Sequence, residues 1–181
     1  MLKIIDGNLI ALALEGQFDA IGHGVNCFCR QKSGIAKQMV ETFGTNDDQD
    51  YWLERPERIG DKSKLGQIEG FPRPLWKLFD PTLKPRYPGV GVNVPTVEVY
   101  NCYTQFHFGY DGKRYLSYKA LAQCMEKLDK EVREMVYPEY TPEIGLPWIG
   151  CGLAGGDRER VKEIIEQNIK LCNVTIVNYK R

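Results

Sequence analysis

Gly22-His23-Gly24-Val25-Asn26-Cys27-Phe28-Cys29-Arg30-Gln31-Lys32-Ser33-Gly34-Ile35-Ala36 decides how this chain reads. An apolar run, Phe18 to Val25, leads through a glycine-rich turn and enters a helical pattern at Ser33-Gly34. Ile35, Ala36, Met39, Val40 and Phe43 then share one helix face, and Gly44 is a usual helix-ending residue. A strand feeding a helix start brings open backbone N–H groups to the positive end of the helix dipole, which makes an anion site. A second stretch, Ile149-Gly150-Cys151-Gly152-Leu153-Ala154-Gly155-Gly156-Asp157, repeats the arrangement. Glycines there let backbone approach a ligand with no Cβ in the way. Either turn alone reads as a tight strand-to-helix connection. Together, at the carboxyl ends of strands in one open sheet, they face a common crevice that suits a diphosphate between two sugars.

Outward from these turns, short apolar strands alternate with helical patterns. Leu2 to Ile5 reads as a strand closed by the turn Asp6-Gly7-Asn8, and Asp47 to Arg55 as a short helix stopped before Pro56. Leu65 to Phe71 reads as a strand. From Phe71 to Pro95 the chain carries Pro72, Pro74, Pro81, Pro85, Pro88 and Pro95, and is expected to be an irregular insertion. Trp76 and Phe79 would anchor it as a lid or partner contact. Thr96 to Tyr103 alternates as a strand, and Ser117 caps a helix with the stripe Leu121, Met125, Leu128, Val132 and Met135. Ile144 to Ile149 reads as a buried strand. Asp157 opens a helix over Arg158 to Leu171, and Val174 to Val177 is the closing strand. The order predicts one three-layer α/β/α domain over residues 1–181, with a central mixed sheet.

Composition narrows the function. Lys plus Arg is 24 and Asp plus Glu is 24, so the basic surplus a general nucleic-acid binder uses to release phosphate counterions is missing. Arg55, Arg58, Lys62 and Lys64 cluster, but Glu54, Glu57 and Asp61 neutralise them, and the cluster reads as a solvated face. At 43% hydrophobic and 27% charged residues the chain has ordinary globular values. No apolar run approaches the ~18 residues of a membrane span. Met1-Leu2-Lys3-Ile4-Ile5-Asp6 meets an acid too early for a secretory leader, so a cytoplasmic location is expected, and separately a monomer. Cys27, Cys29, Cys102, Cys124, Cys151 and Cys172 form no C-x-x-C pair, and with only His23 and His107 to assist, reduced packed thiols are expected and no metal site. Phosphate-loop, H-E-x-x-H and G-x-S-x-G signatures are missing, and Cys27 stands where a dinucleotide fingerprint needs its third glycine.

The run G-H-G-V-N-C-F-C-R-Q-K-S-G-I-A-K-Q-M resembles the first ligand loop of macrodomains, the ADP-ribose-binding family, and L-P-W-I-G-C-G-L-A-G-G-D resembles their second. Asp6-Gly7-Asn8-Leu9 stands where that family has a Gly-Asp-[Ile/Leu] turn, and Asn101 to Gln105 resembles a strand-end segment of one branch. These blocks span nearly the whole chain in the family's order. The resemblance is nearest to the branch of ADP-ribose 1''-phosphate phosphatases and the related enzymes that remove ADP-ribose from acidic side chains.

The resemblance implies a role for each matching residue. Asn8 and Leu9 would lie at the adenine end, where Asn8 replaces the family's aspartate and can still accept through its amide oxygen. Asn178 or Tyr179 would flank the adenine. Asn26 would contact the distal ribose, or equally hold loop backbone. Ser33, Gly34, Ile35 and Ala36 would cradle the diphosphate from one side, and Gly150, Cys151, Gly152, Leu153, Ala154, Gly155 and Gly156 from the other. Side-chain hydrolases of the family use a lysine and an aspartate just after the second glycine motif. Ala154 stands at that aspartate position, and Lys62 and Lys64 are merely near in sequence. The implied activity is therefore hydrolysis of ADP-ribose 1''-phosphate without a cofactor, with Asp157 as general base and His23 as hydrogen-bond or proton donor. Asp157 reads equally as a helix cap, and His23 as a residue that bonds its strand end. The alternatives are removal of ADP-ribose from a modified macromolecule, and a non-catalytic ADP-ribose reader.

Overall fold

Alternating side chains along the strands build a sheet with two apolar faces. The computed structural model describes residues 1–45, 59–75 and 95–179. Six strands lie in one sheet: β1 (Leu2–Asp6), β2 (Ala20–Asn26), β3 (Ile68–Pro74), β4 (Thr96–Gln105), β5 (Glu143–Leu146) and β6 (Asn173–Asn178). Their spatial order is β1-β6-β5-β2-β4-β3, with every pairing parallel except the antiparallel β3–β4 edge. Helices α1 (Leu9–Leu14) and α2 (Gly34–Phe43) cover one face, and α3 (Tyr118–Met135) and α4 (Arg158–Asn168) the other. The period of two is plain in β4: Val97 and Val99 join the α1/α2 core, while Tyr100 and Cys102 join the α3/α4 core. The three-layer mixed α/β architecture is the one the sequence predicts.

Several boundaries differ from those predicted, each for a physical reason. β5 stops at Leu146 instead of Ile149, because Pro147 has no N–H for the ladder. α4 stops at Asn168 instead of Leu171. The N–H groups of Lys170, Leu171 and Cys172 turn to the buried carboxylate of Asp129 on α3, at 2.8–3.0 Å. The segment from Phe71 to Pro74, expected to be irregular, is strand. Pro72 and Pro74 sit opposite Glu98 and Thr96 on the sheet edge, where a missing donor costs little. Arg73 from this edge donates through Nε to the carbonyl of Phe43 and through Nη2 to that of Gly44 (3.1 Å), closing the end of α2. Helix α1 follows the turn Asp6-Gly7-Asn8, where the sequence assigns no element. It is six residues long, too short for a periodic signal, and Asn8 caps it. The helix predicted over 47–55, and Trp76 and Phe79, lie outside the described residues. No helix among the described residues is long and apolar enough to cross a membrane.

β2 and β5 are neighbours in the sheet, and their chains leave in opposite directions, β2 toward β3 and β4, β5 toward β6. Such a switch of direction opens a crevice at the carboxyl ends of the two strands. The two glycine-rich turns follow those two ends.

Candidate functional site

Two adjoining cavities fill that crevice. The larger, about 370 Å³, runs from Asn26 and Gln105 past Ser33 to Ala36 and under Gly150, Gly152, Leu153 and Ala154. The smaller, about 320 Å³, is lined by Asn8, Leu9, Gln38, Arg158, Asn178 and Tyr179 among others. Gly34, Ile35, Pro147 and Trp148 border both. The two cavities therefore form one groove that crosses the start of α2.

That helix start is open. Ser33 is extended at φ −149° and makes no side-chain cap bond, whereas Asn8, Ser117 and Asp157 each cap their helices. The first backbone bond of α2 is Lys37 N–H to the Ser33 carbonyl (3.3 Å), which leaves the N–H groups of Gly34, Ile35 and Ala36 for whatever lies in the groove. Gly34 has φ +59°, a left-handed conformation that carries a steric penalty for any residue with a Cβ. Across the groove, Gly156 N–H bonds the Gly150 carbonyl (2.8 Å) and Gly155 N–H the Gly152 carbonyl (3.0 Å), which curls the second loop. A Cβ on Gly156 would stand 2.4 Å from Leu116 Cδ2, so that position needs glycine for packing. The N–H groups of Gly152, Leu153 and Ala154 meet no carbonyl among the described residues. Two sets of donors with no partner among the described residues thus line one groove.

Asn26 is buried and organises the first loop. Its Oδ1 accepts from Phe28 N–H (3.1 Å) and Arg30 N–H (3.2 Å), and its Nδ2 donates to the Arg30 carbonyl (2.9 Å). That leaves the second Nδ2 hydrogen for a ligand. Arg30 and Lys32 line the Asn26 end of the larger cavity. The Arg30 guanidinium lies 5.3 Å from the ring centre of Phe108, which itself stacks on His107 at 5.0 Å. Cations and aromatics at this end were missed by sequence reading, although Gln105 closes the Asn101–Gln105 segment and Trp148 stands inside the second motif.

The structure brings most of the expected site together. Asn26, Ser33, Gly34, Ile35, Ala36, Gly150, Gly152, Leu153 and Ala154 share the larger cavity, and Asn8, Leu9, Asn178 and Tyr179 the smaller. Cys151, Gly155 and Gly156 shape the second loop without lining either cavity. Burial pushes the Cys151 thiol up to about 11, so it stays protonated at neutral pH. His23 and Asp157 do not border the groove. His23 is fully buried inside the sheet opposite Asn101. Asp157 is exposed, and its Oδ1 accepts from Arg160 N–H (2.9 Å) as the cap of α4. Lys64, read as part of a solvated basic face, is 1% exposed. Its Nζ lies 2.7 Å from Cys29 Sγ and 5.0 Å from the ring centre of Tyr103, so its ammonium holds the floor of the first loop. Lys62 lies over the ring of Phe106, and neither lysine lines the groove.

No family model matches this chain. An uncharacterized 17.5 kDa protein of the tk-vs intergenic region of Enterobacteria phage T4 is 27% identical over 180 residues, covering 99% of this chain and 97% of its own length. The macrodomain of Thermus aquaticus DarG has the same architecture, with a TM-score of 0.62 at 20% identity over 100% of this chain and 99% of that one. Thermosipho africanus DarTG, solved in complex with ADP-ribose, gives 0.61 at 12% identity over 99% of this chain and 41% of that one.

Proposed function

With the macrodomain fold of this chain as the premise, we propose that it binds ADP-ribose along the groove. The adenine lies in the cavity of Asn8, Asn178 and Tyr179, the diphosphate crosses the start of α2, and the distal ribose points toward Asn26. The observation that carries this reading is a pair of N–H sets, Gly34 to Ala36 at the start of α2 and Gly152 to Ala154 in the second loop, which line the larger cavity and meet no partner among the described residues. Fixed amides at a helix N-terminus hold phosphate oxygens without having to be reordered on binding. The groove-lining side chains among the described residues include Arg30, Lys32 and Arg158 and no carboxylate, which favours an anionic ligand. Calorimetry with ADP-ribose tests the reading. Saturable heat is expected, and none at millimolar ligand would refute it.

A second reading, hydrolysis of ADP-ribose 1''-phosphate, is favoured by Arg30 and Lys32 at the distal-ribose end. Two cations suit a phosphomonoester, whose charge grows on the oxygens as water attacks phosphorus and the bond to the ribose oxygen breaks. Inorganic phosphate and ADP-ribose are the products. In this reading the cations and the N–H groups stabilise the reacting phosphate, and the role assigned to Asp157 is tested by Asp157→Asn, which keeps the cap. Phosphate release from the purified protein separates an enzyme from a reader. Release that vanishes in Arg30→Met and survives in Asp157→Asn places the chemistry at the cations.

A further inference from the structure

The smaller cavity holds two amides whose orientation is fixed by their partners. Asn8 accepts at one side-chain atom from both Ile10 N–H (3.0 Å) and Ala11 N–H (3.2 Å). Two donors aimed at one atom make it the oxygen, so Asn8 has only its Nδ2 hydrogens left to offer. Asn178 meets the Asp6 carboxylate at 2.8 Å. An ionised carboxylate only accepts, so the meeting atom is Nδ2, and Asn178 has its Oδ1 left. Both residues line the same cavity, and neither remaining atom has a partner among the described residues. The cavity therefore presents one amide donor from the start of α1 and one carbonyl acceptor from the end of β6.

On the reading that the ligand's base occupies this cavity, we propose that Asn178 Oδ1 reads the exocyclic amine of the base and Asn8 Nδ2 donates to a neighbouring ring nitrogen. An amine beside an unprotonated ring nitrogen is the edge adenine presents, and such paired contacts discriminate strongly between bases. Hypoxanthine carries a carbonyl where adenine has the amine, and that oxygen would face Asn178 Oδ1. Asn8, with its oxygen held by two backbone N–H groups, has no acceptor to offer the amine, so the selecting residue is Asn178.

The test compares ADP-ribose with its hypoxanthine counterpart by calorimetry, in the intact protein and in the Asn178→Leu and Asn8→Asp variants. Aspartate caps a helix as well as asparagine does, so Asn8→Asp keeps α1. Melting curves confirm that both variants fold. The intact protein is expected to prefer the adenine ligand by about tenfold or more. Asn178→Leu should shrink that ratio, by weakening the adenine ligand and relieving the hypoxanthine carbonyl, and any preference that remains comes from the hypoxanthine N1–H meeting the Asn8 Nδ2 hydrogens. Asn8→Asp should weaken ADP-ribose, because a carboxylate would then face the lone pair of the ring nitrogen. Equal affinity of the intact protein for both ligands, a preference undiminished in Asn178→Leu, or tighter ADP-ribose binding by Asn8→Asp would each overturn the assignment. If neither ligand binds the intact protein, it is the ADP-ribose reading that has failed, and the assignment falls with it.

Discussion

Asn26 shows how one side chain can serve a site by holding its backbone. Its three hydrogen bonds to Phe28 and Arg30 fix the turn in which Cys29 adopts φ +58°, a conformation costly for a residue with a Cβ. The sequence left two readings for Asn26, ribose contact or loop support, because an amide beside a glycine turn can do either. Only the coordinates of Arg30 decide how much of it is occupied. Asn26→Ala is expected to lower stability by about 1–3 kcal/mol through the backbone groups left bare. It should also weaken ADP-ribose binding, because Arg30 loses its anchor. Urea melts alongside calorimetry read both effects, and unchanged affinity would show that the loop holds itself. Asp129 is the purer structural case. It is buried, far in sequence from the N–H groups of residues 170–172 that it accepts, and lines neither cavity. Asp129→Ala should cost about 3 kcal/mol in a denaturant melt, with the ligand affinity of the folded fraction intact.

At the scale of elements, α2 and α4 both begin at the crevice but differ in how they begin. Asp157 fills the start of α4 with its own carboxylate, whereas Ser33 leaves the start of α2 open. Both helices were legible from their apolar stripes, and so were both glycine turns. Which of the two starts was the open one was not legible, because serine and aspartate are equally good caps in a sequence. Two predictions separate the helices. Gly34→Glu meets nothing within 4 Å of its Cβ, but it brings a carboxylate to the phosphate path and a side chain to a left-handed position. It should abolish detectable ADP-ribose binding while costing about 1–2 kcal/mol of stability. Asp157→Ala should instead cost about 1 kcal/mol through the lost cap and leave binding within about twofold. A binding loss in Asp157→Ala equal to that in Gly34→Glu would return Asp157 to the site. The polar walls that sequence missed, Gln105, Arg30 and Lys32, sit in loops or at strand ends. No periodicity marks such positions, and their role depends on which loops the sheet order makes neighbours.

Across the whole molecule, the sheet that positions the groove also carries an ionisation it would be more stable without. Glu98 lies on β4 beside the β3 edge, far around the sheet from the crevice. Burial raises its pKa from 4.5 to about 7, with Arg73 pulling it down and Glu131 pushing it up. Burial also raises the pKa of Glu131 on α3. A carboxyl group whose pKa is higher folded than unfolded binds its proton more tightly in the native state. Its contribution is therefore fully present below about 4.5 and is lost as pH rises toward 7. Glu98→Gln keeps the shape and removes the titration. The two proteins should melt alike near pH 4.5, diverge as pH rises through 7, and stay a constant interval apart above it, with the glutamine variant the more stable. Thermal melts across that range, run on both proteins in the same buffers, read the difference directly. Parallel curves would mean that Glu98 ionises as freely in the fold as out of it. The ligand groove should not follow this titration, since Glu98 lines neither cavity, so ADP-ribose affinity in the folded protein is expected to be the same for wild type and Glu98→Gln throughout.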